Sequence, residues 1–252
     1  MTQTLLLLAA PVAMLFAAAV AFLNPGRRPR LAIIVAQGAS LVALAAAIGS
    51  AVLLGLEGAS TGPLLGAGGI GFAVRLDVLS AAMLVLVAFV GWVVLRYSAS
   101  YLDGEARQGA FIGWMATTLA GVLLLVQAGN LFLLVVAWVA MSLSLQRLLL
   151  FYADRVQAQR AGRKKFIVAR LGDAALFAAA AILFVAYGTA DIESILGAAR
   201  SGYAPAGTLW AAALIALAAA LKSAQFPSHG WLIEVMETPT PVSALLHAGV
   251  VN

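Results

Sequence analysis

Lys222, Gln225, His229, Ser243 and His247 fall within one stretch, Leu221–Asn252, reading LKSAQFPSHGWLIEVMETPTPVSALLHAGVVN, in a chain otherwise dominated by Ala, Leu and Val. Amine, imidazole, amide and hydroxyl groups in an apolar setting are the groups that hand a proton or small cation from one to the next. Lys222 follows the run LWAAALIALAAAL, where a cation costs about 2.5–3.5 kcal/mol near a bilayer centre. Pro227 removes a backbone donor and frees the carbonyl of Ser223, so the helix is expected to break just past the lysine. At about 100° per residue, Lys222, Gln225 and His229 share one face and Trp231 points the other way. Thr240 and Pro241 read as the cap and first position of a further helix, on which Ser243 and His247 stand one turn apart. Arg170 and Asp173, three residues apart, form an intrahelical pair that is more often structural than part of a relay.

These groups need membrane-spanning helices to position them. The chain of 252 residues is 63% hydrophobic and 10% charged, against about 25% charged for soluble proteins. An all-α, polytopic membrane bundle of about eight spans follows. The net charge of +5 does not point to nucleic acid, because the basic residues sit in short segments between apolar runs, where they set orientation. With no cysteine and two histidines, no metal site and no cofactor are expected, and no nucleophile–base constellation marks the chain as an enzyme. The amino-terminal apolar run has the length of a span and lacks the basic start of a signal peptide.

Spans are expected near 2–23, 31–56, 78–96, 109–127 and 130–152, then from Phe166, then the run ending at Lys222, and last from Pro241. A short hairpin is expected in the glycine-rich linker 57–77 around GIGFAVRLDV. Arg163, Lys164 and Lys165 read as a topogenic cluster at the lipid headgroups, and Glu234 and Glu237 as solvated loop acids. The tryptophans, Trp138 among them, read as interfacial or packing aromatics. The NPGRRPR linker and the DRVQAQRAGRKK linker are the strongly basic ones and fall on one side, which places them in the cytoplasm of a bacterial inner membrane and the amino terminus outside. About a dozen residues from Pro241 to Asn252 are too few to cross the hydrocarbon, so a span is expected to be cut short there. Residues 1–107 read as amino-terminal helices with an extracytoplasmic loop, and 108–252 as the conducting unit.

The Leu221–Asn252 block, with KKFIVARLGDAAL in the sixth span and RLDVLS at the third, resembles the proton-conducting membrane subunits shared by respiratory complex I and the Mrp-type cation/proton antiporters. The resemblance covers most of residues 70–252. It implies that Lys222 is the central lysine of a broken seventh helix, His247 a histidine of the conducting axis and Asp173 an acid on the sixth helix. It also implies a full fold of fourteen or more helices with two inverted repeats. One position departs from that pattern. Val139 stands after Trp138 where those subunits carry a glutamate, so the usual lysine–glutamate switch is absent.

WVAMSLSLQRLLLFYADRVQAQRAGRKKF is similar instead to the membrane subunit of the DAB inorganic carbon pumps. That similarity implies a large cytoplasmic, zinc-binding, carbonic-anhydrase-like (DabA-type) partner subunit, with the chemistry on the partner and this chain held in membrane lipid. The expectation is an energy-coupling subunit of inorganic carbon accumulation, moving cations through Lys222, His247 and Asp173, with Arg170, Gln225, His229 and Ser243 beside them. The rival expectations are a complex I or Mrp-type translocator lacking its fifth-helix glutamate, and a non-conducting membrane scaffold.

Overall fold

The protein is described here as a computed structural model covering residues 2–67, 70–233, 238–248 and 250. Glu234, Glu237 and Asn252 lie outside the described residues. Among those described, six helices are long and apolar enough to cross a membrane: α1 (Thr2–Leu23), α2 (Arg30–Glu57), α3 (Val78–Tyr101), α4 (Gln108–Val126), α5 (Leu131–Leu149) and α6 (Val156–Tyr187). The remaining helices are α7 (Ile192–Arg200), α8 (Thr208–Lys222), α9 (Gly230–Ile233) and α10 (Thr240–His247). Helix α8 has 15 residues and so is about 22 Å long, short of a hydrocarbon layer of about 30 Å. Helices α8 and α10 lie where the seventh and eighth spans are expected from the sequence.

Small residues let the long helices approach closely, as bilayer packing requires. Ala10, Ala17 and Ala21 of α1 and Ala32, Ala36, Ala39, Ala43, Ala46 and Ala47 of α2 are buried, and the two helices pack on one another. Helix α4 packs on α1 and α5 and supplies the large core side chains Phe111, Ile112, Met115, Leu119 and Leu123. At Gly109 an added Cβ would lie 1.8 Å from the Asn24 carbonyl oxygen, so that backbone approach admits glycine alone.

The expected hairpin is present as two nested antiparallel pairs. Strands β2 (Leu65–Ala67) and β3 (Ile70–Phe72) pair Leu65 with Phe72, while β1 (Ser60–Thr61) and β4 (Arg75–Leu76) pair Ser60 with Leu76. The hairpin is stitched to two helix junctions. The backbone N–H of Arg75 donates to Gln127 O and that of Gly129 to Ala73 O, each at 2.8 Å. Asn130 caps α5, its Oδ1 accepting from Leu133 N and its Nδ2 donating to Gly71 O, both at 2.7 Å. The N–H of Ile192 reaches Gly129 O, and Arg75 pairs with Asp77 and, at 3.4 Å, with Glu193.

Two boundaries differ from the sequence expectation. The sixth span begins at Val156, not Phe166, because the basic run 156–165 continues the helix to 32 residues. Its buried positions Ala158, Ala161, Gly162, Lys165, Ala169 and Gly172 keep one helical face through both halves. On α10 the cap is Pro239, with Thr240 already helical. The Thr240 hydroxyl turns to Tyr101 Oη at 3.1 Å, which leaves it no capping role.

Candidate functional site

The site lies where α8 ends against α5 and α6. Helix α8 stops at Lys222, Ser223 is its carboxy-terminal cap, and Ala224 turns the chain with a φ of 52°. The Phe226–Pro227 peptide bond is cis. Lys222 lies in the last turn, where the helix dipole favours a cation. Its Nζ is buried with no hydrogen-bond partner and sits 4.4 Å from the centroid of the Trp138 ring on α5. The indole N–H of Trp138 donates to Asp173 Oδ1 on α6 at 2.9 Å. One tryptophan therefore touches the cation with its face and the carboxylate with its edge.

Asp173 is held from a second side. Its Oδ2 lies 2.6 Å from Arg170 Nη2, an ion pair one helical turn long. The same Nη2 lies 3.4 Å from Ser142 Oγ on α5, and the guanidinium covers the Phe166 ring at 5.2 Å. Asp173 and Lys222 thus form no direct ion pair, and the indole separates them.

Lys165 is the functional-site residue that the sequence reading placed elsewhere. It is 5% exposed, not at the headgroups, and its Nζ donates to Ser142 O at 2.8 Å, with Ser142 Oγ at 3.3 Å. Lys165 and Lys222 line one small cavity of about 10 Å³ with Leu145, Ala169 and Trp231, about the smallest space that admits a water molecule. The signal for Lys165 was in the sequence. It continues the small-residue face of Ala158, Ala161, Gly162, Ala169 and Gly172, whereas Arg163 and Lys164 fall off that face and are exposed. Trp138 gave no such signal, since nothing local distinguishes it from a packing tryptophan.

The other expected residues are placed apart. Gln225 and His229 do not share a helical face with Lys222, because no helix connects them. Gln225 is exposed near Ser223 Oγ at 3.5 Å. His229 stacks on Phe226 at 5.7 Å with Nδ1 buried and unbonded. Trp231, expected opposite the lysine, lines the same cavity as Lys222. Ser243 and His247 lie one turn apart on α10, half-buried and exposed respectively. Helix α10 packs on α3. Among the described residues no group of three or more His, Asp or Glu converges as a metal site.

Residues 128–252 match the family model described as NADH:quinone oxidoreductase/Mrp antiporter, transmembrane. Residues 65–112 match that of the NADH-ubiquinone oxidoreductase (complex I) chain 5 amino terminus. The chain is 44% identical over 176 residues to the probable inorganic carbon transporter subunit DabB of Hydrogenovibrio crunogenus, covering 69% of this chain and 34% of that one. It is 46% identical over 187 residues to the probable inorganic carbon transporter subunit DabB2 of Halothiobacillus neapolitanus, covering 74% and 34%. NADH-quinone oxidoreductase subunit L of Escherichia coli is 35% identical over 71% of this chain and 30% of its own length. The chain therefore spans about a third of the length of these relatives.

Among solved structures, the Mrp complex of a Dietzia species aligns with a TM-score of 0.76 at 30% identity, over 96% of this chain and 26% of that one. An archaeal membrane-bound sulfane sulfur reductase aligns at 0.80 and 21% identity, over 98% and 39%, which supports the fold alone. With two family models matched over residues 65–112 and 128–252 and the same fold at 30% identity in the Mrp complex, the chain belongs to the antiporter-like membrane subunits of the complex I and Mrp superfamily.

Proposed function

We propose that the chain is part of the membrane subunit of an inorganic carbon accumulation complex in a bacterial inner membrane, with its amino terminus outside. In this reading proton or other cation flow through the Lys222 region drives a cytoplasmic zinc-dependent partner that hydrates CO2. The observation that carries it is the way Lys222 is partnered. The ammonium meets the Trp138 ring, and the acid nearest to it in the network is Asp173, held by Arg170. Val139 supplies no charge, and the similarity to the DabB proteins of two bacteria accompanies that arrangement.

The residues act as follows in this reading. An incoming cation near Asp173 competes with Arg170 for the carboxylate. Release of Asp173 from Arg170 alters the field at the Trp138 edge and so at Lys222, which then passes its proton along the break after α8. Movement of one charge across the membrane potential supplies about 2.3 kcal/mol per 100 mV, which over one or two charges shifts a hydration equilibrium toward trapped bicarbonate. His247 and Ser243 are assigned to the onward path.

Lys222→Ala in the full-length protein is expected to abolish rescue of a carbon-concentration-deficient host at ambient CO2 while the complex still assembles. Unchanged rescue overturns the reading. A second reading, an ion-translocating subunit of a quinone-reducing or antiporter complex, is favoured by the alignment with the Mrp complex. It predicts copurification with such subunits, whereas the first predicts a large zinc protein.

A further inference from the structure

A groove of about 480 Å³ opens between α4, α5 and α6, lined by apolar side chains including Trp114, Leu143 and Phe166, by the polar Ser144 and Gln146, and by Arg147. Arg147 is exposed in the last turn of α5. Its guanidinium lies over the Trp114 ring at 5.7 Å, and among the described residues no carboxylate pairs with it. A cation lying against a ring face keeps its edge donors available. Along the same faces of α5 and α6 a second groove of about 390 Å³ follows, lined by apolar side chains including Phe132, Val136, Phe177 and Phe184. One end of this surface is cationic and the other wholly apolar.

We propose that this groove binds an anionic membrane phospholipid, with its phosphate on the edge of Arg147 and an acyl chain laid against Leu143 and Phe166. Charge complementarity selects that occupant. Arg107 stacks on Phe151 just beyond α5, and Arg160, Arg163 and Lys164 are exposed on the first turns of α6, so this end of the molecule carries a basic field that attracts anionic headgroups. A headgroup phosphate supplies the bidentate acceptor that the Arg147 fork fits.

The test uses the full-length protein in its complex, extracted in mild detergent from membranes containing phosphatidylglycerol and phosphatidylethanolamine, with bound lipid identified by native mass spectrometry. Wild type is expected to retain phosphatidylglycerol, Arg147→Lys to retain an intermediate amount because the charge stays without the fork, Arg147→Leu to retain about fivefold less than wild type, and Leu143→Trp, which fills the groove and leaves the cation, to lose it as well. Equal retention by Arg147→Leu and wild type overturns the proposal. So does equal retention of phosphatidylethanolamine, or disulfide capture of Leu143→Cys by another helix of the chain or by a second copy, since a protein segment then occupies the groove.

Discussion

With Lys222 Nζ 4.4 Å from the indole centroid and no hydrogen-bond acceptor, the ammonium depends on a cation–π contact, which in a desolvated site contributes about 2 kcal/mol. Its stability in the bundle is therefore tied to the ring, and its communication with Asp173 to the ring's N–H. The two functions separate by mutation. Trp138→Phe keeps an aromatic face and removes the donor, so it is expected to preserve assembly and reduce ion-driven activity by about tenfold, the cost of one hydrogen bond to a charged group. Trp138→Leu removes both and is expected to match Lys222→Ala. Activity and assembly measured on the same preparations distinguish the pair, and equal activity of Trp138→Phe and wild type would mean that the N–H carries no coupling.

Asp173 sets a second prediction at this scale. Asp173→Asn leaves the half-buried Arg170 beside a neutral amide, and losing a hydrogen bond to a charged group costs roughly 1.5–3 kcal/mol. The single variant should melt well below wild type, and the double variant Arg170→Met with Asp173→Leu should recover most of the loss, read as the coupling in a double-mutant cycle.

Among the elements, the β1–β4 hairpin is fastened by Asp77, the amino-terminal cap of α3. Its side chain accepts from Ser80 N at 2.7 Å while Ser80 Oγ accepts from Asp77 N at 2.7 Å, a reciprocal capping box. Burial is the largest influence on this carboxyl and pushes its pKa up, but the Ser80 hydrogen bonds and the Arg75 guanidinium together outweigh it and hold it below the usual 3.8. A lowered carboxylate pKa contributes stability that is present above the unfolded value and lost as the pH falls through the folded one. Protection of the hairpin from proteolysis is therefore expected to be constant above about pH 5 and to fall below pH 3.8. Asp77→Ala removes that pH dependence together with the cap and costs about 1 kcal/mol. Helix α4 sets a prediction of its own: Gly109→Ala drives a methyl into the Asn24 carbonyl, and the α1–α4 contact should open, seen as loss of folded protein on detergent gel filtration.

Most elements were legible because bilayer spans write themselves as apolar runs, and Pro227 marks the end of α8 by removing a donor. The sixth helix was misread at its start because charge, the cue for a loop, outweighed the small-residue periodicity that continues through Lys165. Gln225 and His229 were placed on a helical face with Lys222 by extending α8 through a break that the same sequence announces.

At the scale of the whole molecule the site joins three helices drawn from different parts of the chain. Arg170, Asp173 and Lys165 were found or lost one at a time, yet what matters is that α6 presents them all to α5 and to the end of α8. Spacing along one helix shows Arg170 against Asp173; it cannot show that Trp138 from α5 stands between Asp173 and Lys222, since that depends on how three helices cross. The superfamily resemblance anticipated the bundle, which the comparisons support, and the expected break after Lys222 matches the end of α8. Copurification of the full-length protein tests the assembly directly: a large zinc protein is expected, and its replacement by quinone-reducing or antiporter subunits would favour the second reading.

Helix α8 is about 22 Å long against a hydrocarbon layer about 30 Å thick, so in the proposed conducting unit its carboxy-terminal lysine falls inside the layer, and this has an electrical consequence. The positive charge at its end lies partway down the voltage drop, so any shift of that charge along the membrane normal moves a fraction of an elementary charge through the field. Such a shift registers as a transient capacitive current when a voltage step is applied to a planar bilayer holding the protein, even with turnover blocked. Lys222→Met should erase the transient, while Arg28→Gln, which removes an exposed cation paired with Asp103, should leave it intact.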